Sequence, residues 1–398
     1  RIAHCTRSPD CSMESCHTHR CFPRSVSALV VSRAAGSLSR RMLARQDERN
    51  NGVPLGALRR VRELGRGGFG RVIEVELPAA QRSSSLWLRA SEPRRFALKL
   101  QLKQHQFQAT SEVLALRRAD HPFIVHLERA FSFSRFFALL LELCPTDLNR
   151  VLCESDESGR SLGLKPAVAA KYMGQAGLAL AHLHRNEKIV FRDVKPENIL
   201  ISDRDEAKLT DFGLAKVVTS AERMTMCGTM GFLPPELLHE HQGSFMNSVP
   251  VVTGGVLESE HSVRGSTGAP RVSGGGQARF NPFKIDAFSF GVTLQVTLLG
   301  EDGARRRIVH RKGPMMLPLH LSESENAELL GRLRETGRLS PEAHSLLLDK
   351  LLPHNPARRS PITDPEVLNH PFFLKELGCS DLASHLLPSG PNKRGDAQ

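Results

Sequence analysis

Hydrophobic positions change their spacing along the chain. Val72-Ile73-Glu74-Val75-Glu76-Leu77 and Phe96-Ala97-Leu98-Lys99-Leu100 are short runs with strand-like character. Between them, residues 78–95 are rich in Ser, Arg and Pro and predict an enlarged loop. Ser111 to Arg118 has helical spacing, with Val113 and Leu116 on one face and Leu114 beside it. Phe137 to Leu143 is apolar except for Glu142, as a buried strand requires. Beyond Leu148 the pattern turns helical. Ala167 to His184 predicts an amphipathic helix, and Lys284 to Leu299 a buried one. Leu-rich helical segments follow to about Phe373. This order predicts a small sheet lobe followed by a larger helical lobe.

Three stretches fall outside the pattern. Residues 1–55 read as a disordered basic leader, residues 242–282 as a low-complexity Gly- and Ser-rich insertion, and residues 374–398 as a polar tail. The expected domain is therefore 56–373, with lobes at about 58–143 and 146–373.

Charge and cysteine usage narrow the setting. The 398 residues carry a formal charge of +12, and residues 1–60 hold eleven Arg against four acids. Phe22 is the one Phe, Tyr or Trp among those arginines, too few for a stacking platform, so nucleic acid is not the expected partner. Cys5, Cys11, Cys16 and Cys21 crowd the leader, without an apolar segment to pack around a metal. The other four cysteines are scattered, as reduced cytosolic thiols are, and a cytoplasmic location is expected. Ser- and Arg-rich residues 15–46 leave organelle targeting as the alternative. No apolar run is long enough for a transmembrane segment.

Candidate chemistry begins at Gly65-Arg66-Gly67-Gly68-Phe69-Gly70, followed by Val72. Glycines let backbone amides approach phosphates. A dinucleotide site with this spacing opens a helix, whereas β-type residues follow here. Lys99 sits in an apolar strand and needs an anionic partner, for which Glu112 is the candidate. Phe191-Arg192-Asp193-Val194-Lys195-Pro196-Glu197-Asn198 is far more specific. Asp193 can accept a hydroxyl proton, Lys195 can neutralise phosphoryl charge, and Asn198 offers a neutral oxygen to Mg2+. Asp211-Phe212-Gly213 supplies a further carboxylate.

These strings resemble those of the eukaryotic protein kinase superfamily, serine/threonine class, over about residues 58–373. The resemblance implies an α+β, two-lobed fold: an antiparallel sheet lobe with one helix, then a mainly helical lobe. It implies ATP and Mg2+ as cofactors and protein substrates as partners. Asp193 is then the base beside Lys195, and Asn198 and Asp211 hold the metal. Gly65, Gly67, Gly70, Val72, Ala97, Lys99, Glu112, Glu142, Cys144, Asp147 and Leu200 form the nucleotide site. Glu236, in Pro234-Pro235-Glu236, is expected to pair with Arg359, and Asp286 to anchor the catalytic loop. Phe191, His121-Pro122-Phe123-Ile124-Val125 and Met226-Cys227-Gly228-Thr229 are similar to the AGC group. Arg192, Thr225 and Thr229 are the expected regulatory residues, with Thr225 phosphorylated by an upstream kinase and engaged by Arg192. Asp147 and Glu197 suit substrates with basic residues before the phosphosite.

The chain departs from the pattern in five places. The connection from the first strand pair to Lys99 is long, Phe191 replaces the usual His or Tyr, the approach from Lys99 to Glu112 is short, the insertion lengthens the path from Glu236 to Asp286, and no Phe-x-x-Phe follows Phe373. A pseudokinase scaffold is the alternative.

Overall fold

Among the described residues, strands precede most of the helices. In the computed structural model, residues 55–66, 70–78, 94–154, 161–218, 227–239, 281–300, 305–310, 313–318 and 321–388 are described. All of the expected leader but Leu55, the greater part of the 78–95 loop and nearly all of the 242–282 insertion lie outside them. β1 (Arg59–Arg66), β2 (Gly70–Leu77) and β3 (Arg94–Leu102) are followed by α1 (Gln106–Arg118), β4 (Leu127–Ser132) and β5 (Phe136–Glu142). By internal contacts, the described residues up to Gly65 and from Val72 to Leu98 form one compact unit. Arg66–Arg71 and the residues from Lys99 onward form another.

The first unit holds β1, β2 and the start of β3, in that order. Ile73, Val75, Leu77, Phe96 and Leu98 are buried in it. So is Glu74, which accepts from Arg62 Nε at 2.7 Å and from Arg95 Nη1 at 3.0 Å. One buried carboxylate thus links all three strands with two cations.

In the second unit, the end of β3 lies beside β5, and β5 beside an antiparallel β4. A three-residue turn, Lys103–His105, joins β3 to α1. Lys99 forms ion pairs with Glu112 and Asp211, which tie the end of β3 to later segments.

The helical part follows. β6 (Thr146–Asp147) and α2 (Leu148–Cys153) precede α3 (Pro166–His182). Almost every residue of α3 from Ala169 to Ala181 is buried, and small residues make this feasible. A Cβ on Gly177 would stand 2.8 Å from Leu368. Short strands β7 (Ile189–Val190), β8 (Ile199–Ile201), β9 (Ala207–Leu209) and β10 (Lys216–Val217) bracket the loops that carry the motifs. α4 (Pro235–His239) and α5 (Phe283–Leu299) follow, and α5 is buried on every side from Ile285 onward.

Two expectations are corrected beyond α5. Residues read as helical instead form an antiparallel hairpin, β11 (Arg305–His310) with β12 (Gly313–Pro318). Gly300, at φ 54°, ends α5, and Pro314 and Pro318 lack the amide hydrogens that a helix needs. α6 (Glu323–Glu335), α7 (Pro341–Ser345), α8 (Pro365–Leu368) and α9 (Pro371–Leu377) complete the helical set expected to end near Phe373. A further helix, α10 (Leu382–Leu386), lies in the stretch expected as tail, because Leu382 is apolar and fully buried. No helix among the described residues is long and apolar enough to cross a membrane.

Candidate active site

The loop from Phe191 to Asn198 runs between β7 and β8, and α5 holds it from below. Asp286, in the first turn of α5, is fully buried. Its Oδ2 accepts from the Phe191 amide at 2.7 Å and its Oδ1 from the Arg192 amide at 2.7 Å. His184 Nε2 lies 2.8 Å from Oδ2. Two successive amides converge on one carboxylate because Arg192 takes φ 70°, a conformation that costs energy in a non-glycine residue. Ser289 and Thr293 extend the same face of α5. Ser289 Oγ donates to Phe232 O at 2.8 Å, and Thr293 Oγ1 to Val194 O at 3.3 Å. Phe191 is buried edge-on to Phe212, with centroids 5.0 Å apart, so an apolar ring fills the place of the usual His or Tyr.

Asp193 is buried and takes three donors. Its Oδ2 accepts from Lys195 Nζ at 2.8 Å and Asn198 Nδ2 at 2.9 Å, and its Oδ1 from Thr229 Oγ1 at 2.7 Å. Lys195 Nζ also donates to Thr229 Oγ1 at 2.6 Å. Burial pushes the Lys195 ammonium down, but the charges of Asp193 and Glu197 outweigh it and the group is held protonated. Gly228 lets Thr229 reach this cluster. Its φ is 126°, and a Cβ there would stand 2.7 Å from Arg192 O.

Lys99 forms a second centre with Glu112 and Asp211. Its Nζ is 2.7 and 2.8 Å from the two Glu112 oxygens and 2.8 Å from Asp211 Oδ1. Burial opposes the charge on Lys99, but the two carboxylates prevail and keep it protonated. Burial likewise resists ionisation of Asp211, and Lys99 overcomes it, holding the carboxyl below its usual range. Asp211 adopts φ 63° at the start of the Phe212–Leu214 turn.

The donor set fits a hard divalent cation. Asn198 spends its Nδ2 on Asp193, donating to the main-chain O at 2.8 Å as well as to Oδ2, which turns its Oδ1 away as a neutral ligand. Thr210 N donates to Asn198 O at 3.0 Å, so the segment leading to Asp211 is fixed beside Asn198.

The remaining expected residues are distributed as follows. Gly65, Val72 and Ala97 belong to the first compact unit. Gly67 and Thr225 lie outside the described residues. Gly70 is required by packing: a Cβ there would come within 1.8 Å of Leu100 O. Glu142 accepts from Lys208 at 3.0 Å, and the Asp147 carboxylate caps α2 through Arg150 N at 2.9 Å. Burial, with Glu142 adding to it, pushes the Cys144 thiol up to about 12. Leu200 pairs with Asp147 and Lys208 across the small sheet. Arg192 Nε donates to Leu214 O at 2.5 Å. Arg359 grips Glu236 through Nη1 at 2.7 Å and Nη2 at 3.1 Å, joining the two as expected. Sequence reasoning did not anticipate Ser289, Thr293 or Gln101, nor the direct bond from Thr229 to Asp193. Polar residues at i, i+3 and i+7 of an otherwise apolar helix were the available signal for the first two.

This geometry meets its relatives in sequence. The protein kinase domain family matches residues 58–260, about half of the chain. The chain belongs to that family. Among curated proteins, Aurora kinase A-A of Xenopus laevis is 30% identical over 317 residues, covering 79% of this chain and 61% of that protein. Aurora/IPL1-related protein kinase 2 of Caenorhabditis elegans is 35% identical over 137 residues, covering 34% of this chain and 42% of that protein. The chain thus spans 61% or less of the length of these kinases. Aurora kinases form a group apart from AGC kinases, so the AGC expectation finds no support. The strings behind it are short and serve local geometry. His121 Nδ1, for example, accepts from Phe123 N within its own turn.

Proposed function

We propose that this protein is a serine/threonine protein kinase that transfers the γ-phosphoryl group of ATP to a serine or threonine hydroxyl. The observation that carries the reading is the donor set on Asp193. A carboxylate has about four lone-pair sites, and Lys195, Asn198 and Thr229 take three. The fourth can receive the substrate proton as its oxygen bonds to phosphorus. The bond from phosphorus to the bridging oxygen breaks, and ADP leaves. Lys195 neutralises charge on the transferred group, and Lys99 draws the other phosphates into place against Glu112. Bound by Asn198 and Asp211, Mg2+ would supply further positive charge at the phosphates. Gly67, Gly70, Glu142, Cys144 and Leu200 belong to the nucleotide site in this reading.

Glu197 supports a preference for basic residues before the phosphosite. Neither of its carboxylate oxygens has a hydrogen bond among the described residues, and burial raises its pKa to about 7. Asp147 is the weaker candidate, since its carboxylate is spent on Arg150. Phosphorylation of Thr225, read by Arg192, is the regulatory part of the proposal.

The test uses the full chain, labelled ATP with Mg2+, and serine peptides with basic or acidic flanks. Asp193→Asn is expected to lower transfer by about 10^2- to 10^4-fold while nucleotide still binds. Equal, negligible transfer by both proteins with nucleotide bound would favour a scaffold. A preference for acidic flanks would remove the Glu197 assignment. Full activity of Thr225→Ala would remove the regulatory one.

A further inference from the structure

Strand alternation places Lys99 and Gln101 on one side of β3, with Leu98 and Leu100 on the other. Lys99 has a family role, but the neighbouring glutamine does not follow from packing. Gln101 is completely buried, and among the described residues its Oε1 has no hydrogen-bond partner. An unsatisfied buried acceptor disfavours the folded state, so burial alone calls for an apolar residue of this length. The other end of the amide has a partner. Gln101 Nε2 donates to Glu112 Oε2 at 2.9 Å. The reverse orientation would set a carbonyl oxygen against a carboxylate oxygen.

We propose that Gln101 is a positioning residue for phosphoryl transfer, holding the Glu112 carboxylate in register so that Lys99 can release an N–H to the nucleotide phosphates. This rests on the kinase reading above. An ammonium has three hydrogens, and Lys99 Nζ meets three oxygens: both of Glu112 and Oδ1 of Asp211. Contact with a phosphate therefore requires one of those bonds to open. Glu112 Oε2 is the oxygen with a second donor, Gln101, and can lose Lys99 without being stranded. The exchange leaves Oε1 on Lys99 and Oε2 on Gln101, with the carboxylate held at both ends. The three-residue turn between β3 and α1 keeps Gln101 and Glu112 on closely tethered elements.

The experiment compares wild-type protein with Gln101→Met, which keeps side-chain length and removes both polar atoms. Calorimetric affinities for ADP with Mg2+ and for adenosine are measured, together with the thermal midpoint. ADP carries the phosphates that Lys99 reads, whereas adenosine does not. ADP affinity is expected to fall about tenfold, with adenosine affinity unchanged and the midpoint equal or higher. Unchanged ADP affinity overturns the proposal. So does a parallel loss for both ligands with a lowered midpoint, which marks a merely structural residue. Gln101→Glu, which replaces the donor by an acceptor, is expected to show the same selective loss and decides the matter if the Met variant does not fold. Wild-type protein that binds no ADP would instead sink the kinase reading itself.

Discussion

Asp193 and Lys195 share one hydroxyl, that of Thr229, and this triangle can be opened without touching either charged group. Thr229→Val keeps the shape and removes the oxygen. Asp193 Oδ1 then loses its donor, and Lys195 loses one acceptor. The expected result is a kcat lowered by about 10- to 100-fold with a nearly unchanged KM for ATP, because the nucleotide is read elsewhere. Thr229→Ser is expected to restore most of the rate. Steady-state kinetics decide it, and a Val variant as fast as wild type would reduce Thr229 to a packing residue. This role was not legible in the sequence, where Thr229 stands 36 residues from Asp193 and read as regulatory. The contiguous string around Asp193 was legible, since acid, base and amide fall within six positions. Asp286 and the Glu236–Arg359 pair were anticipated only through the resemblance of their strings to those of protein kinases. Gln101 escaped notice because a lone glutamine in a strand carries no pattern.

Local side-chain chemistry marks the start of some helices, and others begin without it. α6 begins with a capping box, Ser322 Oγ accepting from Glu325 N at 3.2 Å and Glu325 returning to Ser322 N at 2.8 Å. α1 starts at Gln106, well before the expected Ser111, with no side-chain cap at its first turn. Another cap makes an element sensitive to pH. His370 caps α9 by accepting from Phe372 N at Nδ1, 3.3 Å away, and only an unprotonated Nδ1 can accept. Burial and then Lys350 hold its pKa below the ordinary value, against the weaker pull of Asp349 and Glu342. The folded state thus keeps a neutral imidazole over a range where the unfolded chain, near about 6.5, is protonated. Stability is full above that value and declines as pH falls below it. His370→Asn retains an acceptor at the cap and cannot titrate. Between pH 7 and 5 it is expected to lose about 1 kcal/mol less than wild type in denaturant titrations. Parallel stability curves would show that the cap does not depend on protonation.

At the scale of the whole molecule, the chain continues to pack beyond the point where its composition turns polar. The order of strands before helices was readable because the apolar period itself changes. The end of the packed region was not, since α10 contributes a single fully buried side chain within a polar stretch. That side chain, Leu382, meets α3 at Gly174, where a Cβ would come within 3.2 Å of it and 3.0 Å of Leu386. The glycine was thus matched to a leucine more than two hundred positions away, a relation that no local pattern reveals. Asn369 locks the segment in a reciprocal pair, donating to Asp381 Oδ2 at 3.1 Å and accepting from Leu382 N at 3.0 Å. If residues after Phe373 were only a tail, removing one apolar side chain there would leave stability unchanged. The geometry requires otherwise. Leu382→Ala opens a cavity against α3 and is expected to cost about 2–5 kcal/mol. Truncation after Gly378 is expected to cost at least as much, because it also strands the side-chain amide of Asn369. Chemical denaturation of the full chain and both variants provides the measurement. A Leu382→Ala midpoint equal to that of wild type would restore the tail reading. A cost for the truncation alone would shift the weight from Leu382 to its hydrogen-bonded neighbours.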